Sequence, residues 1–240
     1  MTTLCIILGR AGSKGLANKN VLPVAGRPMV VWTIEFALRA QSLNRVVVST
    51  DSDELASIAR AHALTVVDRP PPLASDTATV DAAARHAMEQ VEADVGQRYD
   101  AAVLLYANVP VRPADLADRA VTKLRDSGCD SVQSVCPVGK MHPHWMKRLA
   151  GEAADAIEPY EASAVYRRQD LPAVYALDGG IIAVRRESLF TVVEGQPHAF
   201  LGRDQRAVVT GPGEVVDVDD EHDRRVAEAV LGRPAANEHE

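Results

Sequence analysis

Residues 4–20 read LCIILGRAGSKGLANKN. Leu4 to Leu8 is an unbroken apolar run, the pattern of a strand buried on both faces. It leads directly into a loop that carries Gly9, Gly12 and Gly15, with Arg10, Ala11, Ser13, Lys14, Lys19 and Asn20 among them. Glycines let the backbone turn tightly and gather N–H groups into a concavity that suits an anion. Arg10, Lys14 and Lys19 add charge that can reach several phosphate oxygens. The stretch predicts a triphosphate site at the end of the first strand of an α/β protein; the plainer alternative is a solvated basic turn. Two other phosphate motifs fail on spacing. No glycine is followed, after four intervening residues, by Gly-Lys-Ser/Thr, and glycines three apart do not make G-x-G-x-x-G.

Outward from that strand, apolar runs alternate with amphipathic segments, which predicts a mostly parallel, Rossmann-like sheet with helices on both faces. Strands are expected at residues 4–8, 45–49, 65–67, 101–106, 131–135, 180–184 and 215–218. Helices are expected at residues 28–40, 53–62, 79–95, 113–125 and 220–231, with Asp51 or Ser52 able to cap the second. The run Arg69-Pro70-Pro71-Pro72 reads as irregular chain. Residues 137–172 show no clean period and read as an insertion or arm within a single domain of residues 1–231. The polar residues 232–240 read as a frayed, disordered tail.

Open parallel sheets bind ligands beyond the carboxyl ends of their strands. The glycine-rich loop, Ser49-Thr50-Asp51 and the segment from Asn108 to Arg112 belong to that edge. Asp217-Val218-Asp219 joins them if its strand enters the same sheet. In extended chain, residues two apart share a side, so Asp217 and Asp219 present two carboxylates together while Asp220 turns away to cap the last helix. Two hard oxygen ligands beside phosphates suit Mg2+. The alternative is an acidic first turn that stabilises a helix dipole.

The 240 residues suffice for a sizeable core, and 47% hydrophobic with only 4% aromatic content makes that core aliphatic. A net charge of −7 argues against nucleic-acid or anionic-membrane partners and sets off the three cations between Arg10 and Lys19. Cys5, Cys129 and Cys136 lack zinc-ligand spacing and suggest no disulfide framework. With neither a signal peptide nor a membrane-spanning run, the expectation is a soluble, cytoplasmic protein.

From Leu4 to Leu231 the chain resembles the acylneuraminate cytidylyltransferases, the CMP-sialic acid synthetase family. The resemblance is carried by residues 9–15 with Lys19-Asn20, by Ser49-Thr50-Asp51, and by Arg69-Pro70 with Leu73-Ala74-Ser75-Asp76-Thr77. Pro110, Arg112, Leu171-Pro172, Gly179-Gly180 and Asp217-Val218-Asp219 with Asp223 complete it. It implies a nucleotidyltransferase fold in which CTP and an acidic sugar give a CMP-sugar and pyrophosphate. Arg10 and Lys19 then bind phosphate with Lys14 beside them, and the cradle includes Gly9, Ala11, Gly12, Ser13 and Asn20. Ser75 and Asp76 lie near base and ribose, with Arg69 before them. Asp217 and Asp219 hold Mg2+, and one of them helps to deprotonate the attacking hydroxyl. Tyr106, Asn108, Arg112, Arg168 and Asp178 fall at substrate positions.

Two departures stand out. Tyr106 occupies the position of a family glutamine, and Ala176 that of an arginine, for which Arg167 or Arg168 can compensate. The alternatives are another nucleotide or sugar on the same fold, or a non-catalytic nucleotide-sugar binding protein. The resemblance also implies that residues 137–172 form a dimerisation arm of a homodimer, with Lys140, His142, His144, Trp145, Lys147 and Arg148 facing the neighbour's sugar pocket. His142 and His144 as metal ligands are the lesser alternative, because zinc needs three or four protein ligands.

Overall fold

The structure, a computed structural model, describes residues 1–12, 16 and 18–232. Ser13, Lys14, Gly15 and the tail beyond Gly232, all named above, lie outside the described residues. The chain forms β1 (Thr3–Leu8), a hairpin of β2 (Pro23–Val24) and β3 (Arg27–Pro28), α1 (Met29–Arg39), β4 (Arg45–Thr50), α2 (Asp53–Ala61) and β5 (Thr65–Asp68). Then come α3 (Pro71–Ala74), α4 (Val80–Val95), β6 (Ala101–Tyr106), α5 (Leu116–Ser127) and β7 (Ser131–Pro137). A second hairpin of β8 (Lys147–Ala150) and β9 (Ala156–Pro159) leads to β10 (Tyr175–Arg185), α6 (Arg186–Leu189), β11 (Gln205–Val209) and α7 (Glu221–Leu231).

Seven strands make one sheet in the order β11-β7-β10-β6-β1-β4-β5. β10 runs antiparallel to both its neighbours, and the other pairings are parallel. The two faces of β1 explain its unbroken apolar sequence. Cys5 and Ile7 pack with Ile34 of α1, Leu55 of α2 and Leu124 of α5. Leu4 and Ile6 pack on the other face with Ala84, Met88 and Val91 of α4. Both halves must be apolar because helices cover both sides. Among the described residues, no helix is long and apolar enough to cross a membrane.

Several expectations are corrected. Residues 215–218 add no strand to the sheet; they make one antiparallel bridge, Val111–Val216, to the loop after β6. The proline run does not stay irregular, since Pro71 and Pro72 open α3. Proline is tolerated in a first helical turn, where its missing N–H has no partner to lose. Expected helix 113–125 begins later, at Leu116, and the strand expected at 180–184 extends back to Tyr175. β11 and both hairpins had no expectation. Within 137–172 the chain forms the β8–β9 hairpin flanked by two short 3-10 turns, Pro143–Trp145 and Arg168–Asp170.

Candidate active site

Among its described residues, the glycine-rich loop is fastened at three points. Gly9 donates its N–H to Ser49 O at 3.3 Å, and Ala11 donates to Asp51 Oδ1 at 2.7 Å. The Asn20 amide donates to Arg10 O at 2.9 Å, closing the loop on itself from a buried position. Space favours glycine at position 9: an added Cβ would stand 2.6 Å from Leu55 Cδ1 and 3.0 Å from Ala107 Cβ. Gly12 has φ +70, a conformation that favours glycine. The N–H groups of Gly9 and Ala11 are held by the chain, and among the described residues the side chains of Arg10, Lys19 and Arg69 bring positive charge to this edge.

Each cation is anchored differently. Arg10 pairs with Asp76 at 2.7 Å and reaches Ala74 O at 3.4 Å, so the turn after α3 is drawn onto the loop. Ser75 Oγ donates to Pro72 O at 3.1 Å within that turn. Arg69 is buried, with Nε 3.2 Å from Ser49 Oγ and a second nitrogen 2.7 Å from Ser49 O. Burial lowers its pKa, Arg10 lowers it further, and Asp51 opposes both. Lys19 donates to Asp219 Oδ1 at 2.6 Å, which joins the amino-terminal loop to the acidic segment two hundred residues on.

That segment alternates as expected without being a strand. Val216 and Val218 are buried in a small cluster with Val24, Met29, Val111 and Ala227, leaving Asp217 and Asp219 on the opposite side. Val218 N–H donates to Asn108 O at 2.9 Å, and the Asn108 amide donates to Asp217 Oδ1 at 2.5 Å. The Asp217 carboxylate lies against backbone at Gly179, where a Cβ would stand 2.9 Å from Oδ2 and φ is +75. Burial pushes the Asp217 carboxyl up to about 6, and the charge of Asp219 adds to the effect against Lys19 and Arg112. Asp220 caps α7 in a reciprocal box with Asp223, whose carboxylate also accepts from Asp219 N–H at 3.0 Å.

A cavity of about 200 Å³ lies at this edge, lined by Gly9, Arg10, Lys19, Asn20, Arg69, Ser75, Tyr106 and Asn108 among others. A larger one of about 540 Å³ adjoins it and shares Ala78, Thr79, Val80 and Tyr106. Burial raises the Tyr106 pKa, and the charge of Asp217 raises it further.

Other expected site residues are engaged elsewhere. Arg112 is bound into the floor: Nε donates to Gly180 O at 2.7 Å, and the terminal nitrogens donate to Thr33 Oγ1, Tyr106 O and Val109 O. Asp178 accepts from Gly180 N–H at 2.9 Å, from Thr210 Oγ1 at 2.6 Å and from Ser134 Oγ. Arg168 lies exposed on the arm's second 3-10 turn, where Arg167 pairs with Asp170 at 2.8 Å. His142 is buried with both ring nitrogens engaged, at Pro172 O and His144 N–H. Among the described residues, no group of three or more His, Cys, Asp and Glu is placed to hold a metal.

The sequence reading missed Thr33, whose buried hydroxyl donates to Val109 O at 3.0 Å and accepts from Arg112. It also missed the far wall of the larger cavity, around Leu177, His198 and Phe200. Thr33 lies within a helix read only for its apolar period. His198 and Phe200 lie in chain without any periodic signal.

A family model described as Cytidylyltransferase matches residues 4–199. The N-acylneuraminate cytidylyltransferase of Streptococcus agalactiae serotype V is 33% identical over 190 residues, which cover 78% of this chain and 44% of that protein. The chain thus spans less than half the length of that curated relative. The pseudaminic acid cytidylyltransferase of Campylobacter jejuni is 33% identical over 124 residues, 51% of this chain and 53% of the relative. A solved CMP:2-keto-3-deoxy-manno-octonic acid synthetase complexed with CTP shares the fold, with a TM-score of 0.72 at 17% identity over 97% of this chain and 99% of that one.

Proposed function

The chain belongs to the cytidylyltransferase family, and we propose on that footing that it transfers a cytidylyl group from CTP to an acidic sugar. A sugar hydroxyl oxygen bonds to the α-phosphorus, the bond from that phosphorus to the bridging oxygen breaks, and pyrophosphate leaves. The hydroxyl proton passes to a carboxylate or to water. Such a step asks the protein for positioning and charge neutralisation more than for covalent chemistry.

The observation that carries this reading is the contact of Lys19 with Asp219 at 2.6 Å, which ties the acidic segment to a cation that lines the smaller cavity beside Arg10 and Arg69. Arg10, Lys19 and Arg69 offer three positive groups to a polyphosphate. Arg10 is paired with Asp76 at 2.7 Å, so a phosphate would compete with that carboxylate for the guanidinium. Asn108 holds Asp217 in orientation, and Gly179 leaves it room. The adjoining larger cavity gives the sugar a place within reach of the same edge.

Asp217 and Asp219 are the residues that would hold Mg2+. Their oxygens are hard, and burial together with the neighbouring charge of Asp219 raises the Asp217 pKa, a strain that a dication would relieve. When bound, the ion supplies further neutralisation of the phosphate charge. A homodimer is part of the same reading, supported by exposed Leu149 and Ile157 on the arm hairpin. Another nucleotide is a second reading, because Tyr106 lies at the junction of the two cavities where the family resemblance expects glutamine.

The test is pyrophosphate release with CTP, Mg2+ and a panel of sugar acids, repeated with EDTA and with the other nucleoside triphosphates. Release that requires CTP, an acid and the ion is expected. Silence with every nucleotide and acid would remove the reading, and tight binding without release would leave only a binding protein.

A further inference from the structure

Another cavity, of about 520 Å³, lies at the opposite end of the sheet from the cradle, where β6 begins beside the end of β10. Its lining brings together Arg98, Arg125, Arg185 and Arg186 with Asp100 and Glu187. Four arginines against two carboxylates make a positive concavity in a chain whose net charge is −7. The low-dielectric walls of a concavity focus such a field.

The arginines are held so that donors are left over. Arg185 Nε donates to Cys129 O at 2.8 Å, and one terminal nitrogen reaches Leu124 O at 3.4 Å. Arg186 grips Glu92 through Nε at 2.9 Å and one terminal nitrogen at 2.8 Å, with its guanidinium 4.2 Å from the centre of the Phe190 ring. Each therefore keeps its other terminal nitrogen uncommitted. Arg125 spends only Nε, on Asp126 at 2.7 Å, and Arg98 forms no ion pair or side-chain hydrogen bond with the described residues. Of the carboxylates, Asp100 is engaged by Thr2, whose N–H donates at 2.6 Å and whose hydroxyl donates at 3.1 Å. A guanidinium keeps its proton and accepts no hydrogen bond, so four around one concavity repel one another until an anion enters. Their planar forks match phosphate oxygens, and several forks suit a group with more than one phosphorus. We propose that this cavity binds the di- or triphosphate group of a small molecule, free or carried by a nucleoside, as a site separate from the cradle. The proposal stands on these residues alone and does not depend on the transferase reading.

The test is hydrogen exchange and calorimetric titration of the full chain with inorganic pyrophosphate, CTP and sulfate at matched ionic strength. Pyrophosphate should slow exchange at residues 98–102 and 183–188. The double variant Arg98→Ser, Arg125→Ser should weaken that binding about tenfold or more, and both side chains are exposed, so the fold tolerates the change. Slowing by pyrophosphate alone marks a free diphosphate as the ligand, and slowing by CTP as well marks a phosphate tail. No slowing at this end with about 1 mM pyrophosphate overturns the proposal. So does equal slowing by sulfate, slowing by CTP alone, or unchanged affinity in the double variant. Exchange at residues 8–12 reports the cradle separately, and its failure to respond would count against the transferase reading alone.

Discussion

Arg112 commits four of its five N–H donors to acceptors of its own chain, which makes it part of the site's frame. Arg112→Met removes four donors at once; Thr33 still serves Val109 O and Val109 N–H still serves Tyr106 O, but Gly180 O loses its Arg112 donor, and a total loss of about 3–5 kcal/mol is expected in urea unfolding. Arg112→Lys should not restore it, since an ammonium cannot serve a planar fork of acceptors. A variant with full stability and only a raised KM would instead make Arg112 a contact for substrate. Asp219 is the opposite case. Its side chain is 73% exposed, and its carboxylate meets Lys19. Asp219→Ala should therefore melt within a few degrees of the parent, as surface changes of about 0.5 kcal/mol do. Magnesium-dependent release should fall by at least about 100-fold, since even outer-shell partners of a metal cost up to that much. Near-parental release would take Asp219 out of the ion's site.

At the scale of elements, the arm is where the molecule is least self-sufficient. Leu149 and Ile157 face each other across the β8–β9 hairpin, and they are 66% and 70% exposed. A two-stranded hairpin is marginal on its own, so an apolar pair left in water is better covered by a second copy. Sedimentation should give a dimer for the parent and a monomer for the double variant Leu149→Glu, Ile157→Glu, with the far-ultraviolet spectrum unchanged. A monomeric parent, or a dimer that survives both charges, would remove the arm from assembly. The elements also show what a sequence discloses. β1 was legible because burial on both faces forces an unbroken apolar run, and Asp217 and Asp219 because Val216 and Val218 must be buried. β11 was not, since four of its five residues are exposed and only Val208 is buried. The wall formed by Leu177 and Phe200 was illegible for another reason: those residues meet only in the folded chain.

Across the whole molecule, the two ends of the sheet carry opposite electrostatics. At the binding edge, Asp217 is held with its pKa raised, so its charge is tolerated at a cost to the fold. Where the parallel strands begin, carboxylates are comfortable. Asp100 accepts from Thr2 N–H at 2.6 Å, and Asp130 accepts from Arg203 and Asp204 N–H groups. Glu92 grips Arg186 at 2.8 Å and accepts from Tyr99 N–H at 3.0 Å. Burial pulls the Glu92 pKa upward, yet Arg186, Tyr99 N–H and Arg98 together bring it below its ordinary 4.5. Its folded-state pKa lies below the unfolded one, so its contribution is complete above 4.5 and is lost as acid carries the pH through the lower value. Glu92→Gln, which leaves Arg186 poorly paired, should cost about 2–4 kcal/mol at pH 7, a little under the usual range for breaking a buried pair because both side chains keep some water contact. The difference from the parent should shrink as the pH falls below that value, because the parent then loses the same charge. Release of pyrophosphate at 25 °C should stay within about twofold, as the pair lies at the other end of the sheet from the cradle and is not coupled to it. A stability gap that stays constant down to pH 3 would show that the ion pair is not its source, and a large fall in kcat would show that the two ends of the sheet are coupled.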